Sequence, residues 1–441
     1  MDTKSWLTSE ETVRRSNKQY AHFDYRTDIS QQRVYISNPA KVAVHAFYPF
    51  IHYVIKTVKF KKEKGKKTKE RDICYAAHID RCIYQYYSFI LNCLYNARVR
   101  EEGLSSVAVA YRTDLHESNI NFAKRAFDFI REKESCYVMI GDFTGFFDNL
   151  DHQYLKKQWC SLLQEETLPP DHYAVFKSVT RYSKWELSDL LKLNGLEDTW
   201  DGRKTLNRKV RVLTKEQYYQ HRSQIIKNKD GFGIPQGSPI SATLANVYML
   251  DVDKAVNKLV VESGGLYMRY SDDFIVVLPN TAGINAKDIL EQINILIKQA
   301  PRLTLERNKT QYFRYEDGRL ENCSTEFHAE ADASNSIIHF LGFSFDGQKV
   351  SIRPKTISKY YYRMNRKAKT VARLGGYTPE GKHISCKNLY ARYSERGAKG
   401  KSGNFLTYVA RAEKVFGSDE AIQRDTRNHM QKIRKALRKE K

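Results

Sequence analysis

Residues 266–278 read LYMRYSDDFIVVL, two apolar runs meeting at Ser271, Asp272 and Asp273. Strand-forming residues on both sides of a polar centre predict a hairpin with its acids at the turn. Residues 136–142, CYVMIGD, form a second apolar run that ends on Asp142, as a buried strand would. Asp142 and Asp272 stand 130 positions apart, so any shared site has to come from the fold. A strand end beside a hairpin turn would gather three carboxylates at one sheet edge. Between the two runs lies GFGIPQGSPISATLANVY, residues 231–248. It reads as a loop over 231–237 and a helix over 241–259, whose inward face carries Leu244, Val247, Tyr248 and Asp251.

Grouped carboxylates suit hard divalent cations such as Mg2+, which take one or two carboxylates beside phosphate oxygens and water. Nucleotidyl transfer uses two such ions about 3.5–4 Å apart. Composition points to a matching partner. The 441 residues include 74 Lys and Arg against 51 Asp and Glu, a formal charge of +23 that suits a polyanion. The apolar share of 41% is enough for a sizeable core, which excludes wholesale disorder. Seven cysteines include no Cys-x-x-Cys pair, so neither a zinc site nor a disulfide framework is indicated, and a reducing, cytoplasmic setting is expected. Residues 1–11 lack the apolar run of a signal peptide, and the most apolar stretch, 42–55, is too short to span a bilayer. A soluble protein without a membrane partner is expected.

Farther out, residues 61–71 (KKEKGKKTKER) predict a solvated cationic loop or hairpin around Gly65. Residues 79–97 and 152–163 carry helical spacing, and 284–298 reads as an amphipathic helix. The stretch 184–230 is charged with weak periodicity and reads as an insertion or subdomain edge. From about residue 356 a basic helical region runs to the end. There Met430, Ile433 and Leu437 can pack on one face while Lys432, Arg434, Lys435 and Arg438 point outward as an RNA-holding surface.

Together these motifs resemble the reverse transcriptases. DFTGFFDNLDH (142–152) is similar to their first palm motif, GIPQGSPISATLANVYM (233–249) to the second, and YSDD (270–273) to the third. The bacterial branch related to group II intron enzymes shares PQG-x-x-x-S-x-x-L-A-N. KERDI (69–73) with IDR (79–81) resembles the fingers motif that grips the triphosphate, and AYR (110–112) the fingers segment against the template. RNKTQYF (307–313) supplies the palm lysine, and FLGFSF (340–345) resembles the primer-grip hairpin.

The resemblance implies roles. Asp142 and Asp272 would ligate two Mg2+ ions (Mn2+ as substitute), with Asp273 completing the site and Phe143 lending its carbonyl. Lys309 would protonate the departing pyrophosphate. Arg71 and Lys69 would neutralise the incoming triphosphate. Phe147 matches the steric gate that favours deoxynucleotides. Gln236 and Gly237 would let backbone approach the new base pair, and Arg112 would face the template.

The implied fold is an α+β right hand: N-terminal region and fingers over 1–135, palm with an antiparallel sheet over 136–350, and α-helical thumb over 351–441. The implied function is RNA-directed DNA synthesis from deoxynucleoside triphosphates. No Cys/His-rich endonuclease segment and no Asn-Ala-x-x-His or Val-Thr-Gly signature is present. The chain therefore looks most like the stand-alone, defence-associated and abortive-infection enzymes of bacteria, with an adjacent noncoding RNA as template. An untemplated or protein-primed DNA polymerase and a catalytically silent RNA-binding scaffold are the alternatives.

Overall fold

The computed structural model describes residues 2–61, 65–281, 285–307, 309–331, 333–375, 377, 386–400 and 403–438, with only backbone for 58–61 and 65–67. In chain order its strands are β1 (Phe50–Lys61), β2 (Gly65–Tyr75), β3 (Ser135–Asp142), β4 (Ser183–Glu186), β5 (Ile226–Lys227), β6 (Leu266–Tyr270), β7 (Asp273–Pro279), β8 (Gln311–Glu316), β9 (Arg319–Asn322), β10 (Ile338–Phe340), β11 (Phe343–Phe345) and β12 (Val350–Ile352). The chain divides into two units. No helix among the described residues is long and apolar enough to cross a membrane.

The first unit comprises Met1–Asp114, Phe143–Val256 and Ile293–Thr304. Its sheet has the order β2-β1-β4-β5, with β1 and β2 an antiparallel ribbon in which Ile55 faces Arg71 and Thr57 faces Lys69. The predicted cationic hairpin is this ribbon, although residues 62–64 at its tip lie outside the described residues. The helix His78–Glu101 buries Tyr87, Leu91, Tyr95 and Val99, an i, i+4 stripe. The charged stretch 184–230 is more structured than its periodicity suggests. β4 lies parallel to β1, and Trp185, Leu187, Leu190, Leu191, Leu206 and Val212 share one core with Phe23 and Ile51. Its helices, Leu187–Leu193, Trp200–Leu206 and Lys215–His221, are so short that none shows a full amphipathic repeat.

The predicted helix over 241–259 breaks at Met249 into Ser241–Tyr248 and Leu250–Glu262. Leu244, Val247 and Tyr248 are buried, but Asp251 is exposed and accepts from Gln158 at 2.6 Å; the inward acid is Asp253. The break shifts the helical phase, which moves the buried position by two residues.

The second unit comprises Leu115–Asp142, Asn257–Gln292 and Leu305–Lys441. Its central sheet, β6-β7-β3-β8-β9, is antiparallel throughout. The helix Asn119–Glu132 turns Ile120, Ala123, Phe127 and Ile130 inward. β10, β11 and β12 form a separate sheet whose first hairpin contains FLGFSF. The basic region follows as helices Pro354–Arg373, Cys386–Tyr393, Glu395–Ala398, Phe405–Phe416 and His429–Arg438. Met364, Ala368, Leu389, Ile433 and Ala436 form their core, with Met430 and Leu437 packed against it. Residues 439–441 lie outside the described residues. The helix expected over 284–298 is Ala286–Ile297, and residue 284 likewise lies outside them.

Gly141 sits opposite Phe274 in the β3–β7 register, and a Cβ there would lie 2.2 Å from the Phe274 ring. The ring covers the strand where a side chain would otherwise stand. Gly141→Ala should therefore cost about 1–3 kcal/mol through overpacking. Urea unfolding of the single variant, and of Gly141→Ala with Phe274→Leu, measures it. A partial recovery in the double variant is expected, and a single variant as stable as wild type would show that the ring does not depend on the glycine.

Candidate active site

In the second unit the three predicted acids come together by register. Asp142, the last residue of β3, is paired with Asp273, the first of β7, and Tyr270 faces Asp273 from β6. Asp272 lies in the two-residue turn between β6 and β7. Ser271 in that turn has φ 62°, a conformation uncommon for a residue with a side chain. The turn is held by Arg269, which is fully buried and donates from Nη1 to the Ser271 carbonyl at 3.0 Å. Sequence reading passed over Arg269, because an arginine in a strand most often reads as a surface cation.

Burial pushes the Asp273 carboxyl well above the usual carboxylate range, and the charges of Asp272 and Asp142 add to it. Lys309 meets this excess, its Nζ 2.6 Å from Asp142 Oδ1. The turn that carries it is fastened to the same residue, with the Glu306 N–H donating to the Asp142 carbonyl at 2.8 Å. No three His, Cys, Asp or Glu side chains among the described residues converge on one point as a metal cage. The donors nonetheless fit Mg2+, which needs only one or two carboxylates and completes its shell with water and phosphate. Crowded like charges with a raised carboxyl are the surplus that a divalent ion neutralises.

In the first unit the glycine-bounded loop is laced by backbone to two segments. His152 N–H donates to the Gly231 carbonyl, Gly233 N–H to Leu150 and Ile234 N–H to Phe147, each at 2.9 Å. Gly233 has φ +83°, and a Cβ there would lie 2.9 Å from the Asp148 carbonyl. On the other side Cys74 N–H donates to the Gln236 carbonyl at 2.8 Å, and a Cβ on Gly237 would lie 2.6 Å from the Cys74 carbonyl. Gly237 is thus required by the close passage of β2, whatever ligand it also meets. The Gln236 amide donates to both oxygens of Asp148 at 3.1 Å. Asp148 escaped the sequence reading, though it adjoins Phe147. Burial raises its carboxyl, and the Gln236 amide opposes that rise.

The other expected residues divide by burial. Phe147 is half-buried, edge-on to Phe146, while the buried Phe143 ring stacks on Phe146 at 5.4 Å. Lys69 and Arg71 are exposed on one face of β2, two residues apart. Arg81 of the IDR segment is only 5% exposed, its guanidinium enclosed near Tyr20 and His78. Arg112 is likewise 5% exposed, clasping Asp114 at 2.7 Å and the Ser105 carbonyl at 2.8 Å. Its donors close a loop of the chain itself. In the second unit Lys432 lies over the Tyr361 ring at 3.7 Å, and Arg434, Lys435 and Arg438 are exposed as expected.

The raised Asp273 carboxyl has a stability consequence. Its folded form keeps a proton that the unfolded chain has already released, so this contribution is present at low pH and is lost as pH rises through the raised value. Without divalent ions at pH 8, Asp273→Asn should be more stable than wild type by on the order of 1–2 kcal/mol. The gain should shrink as pH falls toward the ordinary carboxylate range. Thermal melts in chelator across pH check this; coincident curves at pH 8 would show that the carboxylate is not strained.

Comparison with known proteins agrees with this chemistry. Residues 199–345, about a third of the chain, match the family model described as reverse transcriptase (RNA-dependent DNA polymerase). The match takes in Gln236, Gly237, Asp272, Asp273 and Lys309 and leaves Asp142 outside. No curated protein matches the chain. Similar solved structures include apo telomerase of Candida tropicalis truncated from its C-terminal domain, 13% identical with TM-score 0.42, covering 74% of this chain and 61% of that one. Telomerase of Candida albicans with a fragment of telomeric RNA is 13% identical with TM-score 0.40, covering 92% of this chain and 66% of that one. The chain thus spans about three fifths to two thirds of the length of these telomerases. Residues 199–345 therefore carry the likeness to reverse transcriptases, within a chain of mixed helices and largely antiparallel sheet.

Proposed function

We propose that this chain is an RNA-directed DNA polymerase that copies a noncoding RNA encoded beside it into DNA, in the cytoplasm of a bacterium, as part of defence against phage. The observation that carries the catalytic part is the β3–β7 register, which sets Asp142 against Asp273 with Asp272 in the adjoining turn. Asp142 and Asp272 hold the metal ions, with the Phe143 carbonyl beside them and Asp273 completing the charge. Bound Mg2+ supplies the Lewis acidity that activates the attacking hydroxyl and steadies the leaving oxygens. Lys309 gives a proton to the departing pyrophosphate, a role supported by its position 2.6 Å from Asp142. Lys69 and Arg71 receive the triphosphate. Gln236, steadied by Asp148, and Gly237 border the base pair being formed.

The fingers, palm and thumb are assigned to 1–135, 136–350 and 351–441, with Lys432, Arg434, Lys435 and Arg438 on the RNA-holding face of the thumb. The defence role is supported by the resemblance of DFTGFFDNLDH, PQGSPISATLAN and YSDD to the stand-alone bacterial enzymes.

Asp272→Ala with Asp273→Ala should abolish DNA synthesis on an RNA template and, in cells, phage protection, while RNA binding persists. Template-directed synthesis at a near wild-type rate by this double variant would sink the metal assignment. Phe147→Ala should admit ribonucleotides while deoxynucleotide incorporation continues, because the ring's removal opens the space of a 2′-hydroxyl. Incorporation assays with each triphosphate class read this out. Unchanged sugar discrimination in a folded variant returns Phe147 to packing against Phe146.

A further inference from the structure

The charged stretch 184–230 carries a surface used by neither the acids nor the glycine loop. Leu206 and Val212 are buried in the core that holds Phe23 and Trp185, so the residues between them, NRKVR, arch outward. The arch is held by backbone. Arg26 donates to the carbonyls of Asn207 and Lys209, and the Val212 N–H donates to the His22 carbonyl at 2.8 Å. Two large rings flank it: Trp200, at the start of its helix, is 72% exposed, and Tyr25 is 63% exposed. Each carries a cation on its face. Lys204 Nζ lies 4.7 Å from the Trp200 centroid, and the Arg211 guanidinium 4.8 Å from that of Tyr25.

Single exposed rings need no explanation, but two beside a dense cationic arch are a different case. Residues 199–230 contain nine Lys and Arg against three acids. Arg203 is paired with Asp198, whereas Lys204, Arg208, Lys209 and Arg211 form no ion pair among the described residues. Exposed rings amid cations that outnumber the nearby acids match the chemistry of a single-stranded nucleic acid, whose bases stack on rings while its phosphates meet Lys and Arg. An acidic peptide would satisfy the cations and leave both rings wet.

We propose that Tyr25, Trp200, Lys204, Arg208, Lys209 and Arg211 form a docking platform for single-stranded RNA. The choice of RNA rests on the reading that this chain copies an RNA template. All six residues belong to the first unit, and none is among the acids, the loop or the triphosphate-binding pair.

The test uses the full chain in two exposed-surface variants, Tyr25→Ala with Trp200→Ala, and Lys204, Arg208, Lys209 and Arg211 each→Gln. Binding of a short unstructured oligoribonucleotide is measured against salt, beside an oligodeoxynucleotide of equal sequence. Extension of a preformed short primer on an RNA template is measured in parallel. Loss of the rings should weaken RNA binding at least fivefold, and the Gln variant should flatten the log–log salt slope by about two to three. Primer extension and melting should stay near wild type. Wild-type RNA affinity and slope in both variants, with extension intact, overturns the platform and leaves the polymerase reading standing. Weakening confined to the DNA oligonucleotide also overturns it. Wild-type protein that extends no primer on RNA removes the polymerase reading, and the RNA platform with it.

Discussion

The pairing of β3 with β7 is the constraint on which the candidate site depends. Side chains alternate faces along a strand, so a slip of one residue would send Asp142 and Asp273 to opposite sides of the sheet. The register is protected where it matters. Gly141, one residue before Asp142, accepts the Phe274 ring across the strand gap, one residue after Asp273. An aromatic seated on a glycine fits in one alignment only. Local stability argues against the arrangement, because like charges directly opposed on a sheet repel. Lys309 on Asp142 and Arg269 beneath the turn are the structure's compensation. With these two cations in place, the turn still holds a carboxyl that burial and like charge keep raised.

The glycine-bounded loop follows a related logic with backbone instead of charge. It passes between the segment around Phe147 and the end of β2, close enough on both sides that carbonyl oxygens occupy the place of a Cβ at Gly233 and Gly237. Paired amides and carbonyls on both sides leave it little freedom, so the Gln236 side chain starts from a fixed base. Preorganisation of this kind lowers the entropy lost when a substrate is bound. Asp148, sharing its carboxylate with the Gln236 amide, extends that order to the side chain itself.

Arginine shows most clearly how burial sorts residues that look alike in sequence. Arg71, Arg81, Arg112 and Arg269 all lie in or beside motifs of the catalytic type. Arg71 is exposed on a strand, whereas Arg112 and Arg269 spend their donors on carbonyls or a carboxylate of the protein and Arg81 is enclosed. A guanidinium fork binds a carbonyl edge as readily as a phosphate, and only its surroundings tell which it serves.

The local elements could be read from residue order: the apolar run ending at Asp142, the hairpin around Asp272 and Asp273, the helices His78–Glu101 and His152–Leu163, and the apolar seam of Met430, Ile433 and Leu437. Each is governed by neighbours a few positions away, through alternation, helical period or turn chemistry. The charged stretch 184–230 was not legible as a packed element, because its core residues are spread over short helices and a strand that find their partners at Phe23 and Ile51. The break at Met249, the enclosure of Arg112 and Arg81, the bond between Gln236 and Asp148, and the Lys309 contact with Asp142 likewise belong to the tertiary structure. Residue order determines which chemistry the chain owns. Which of those groups stay in solvent, and which are spent inside, is decided by contacts between distant segments, such as Lys309 with Asp142 across 167 positions.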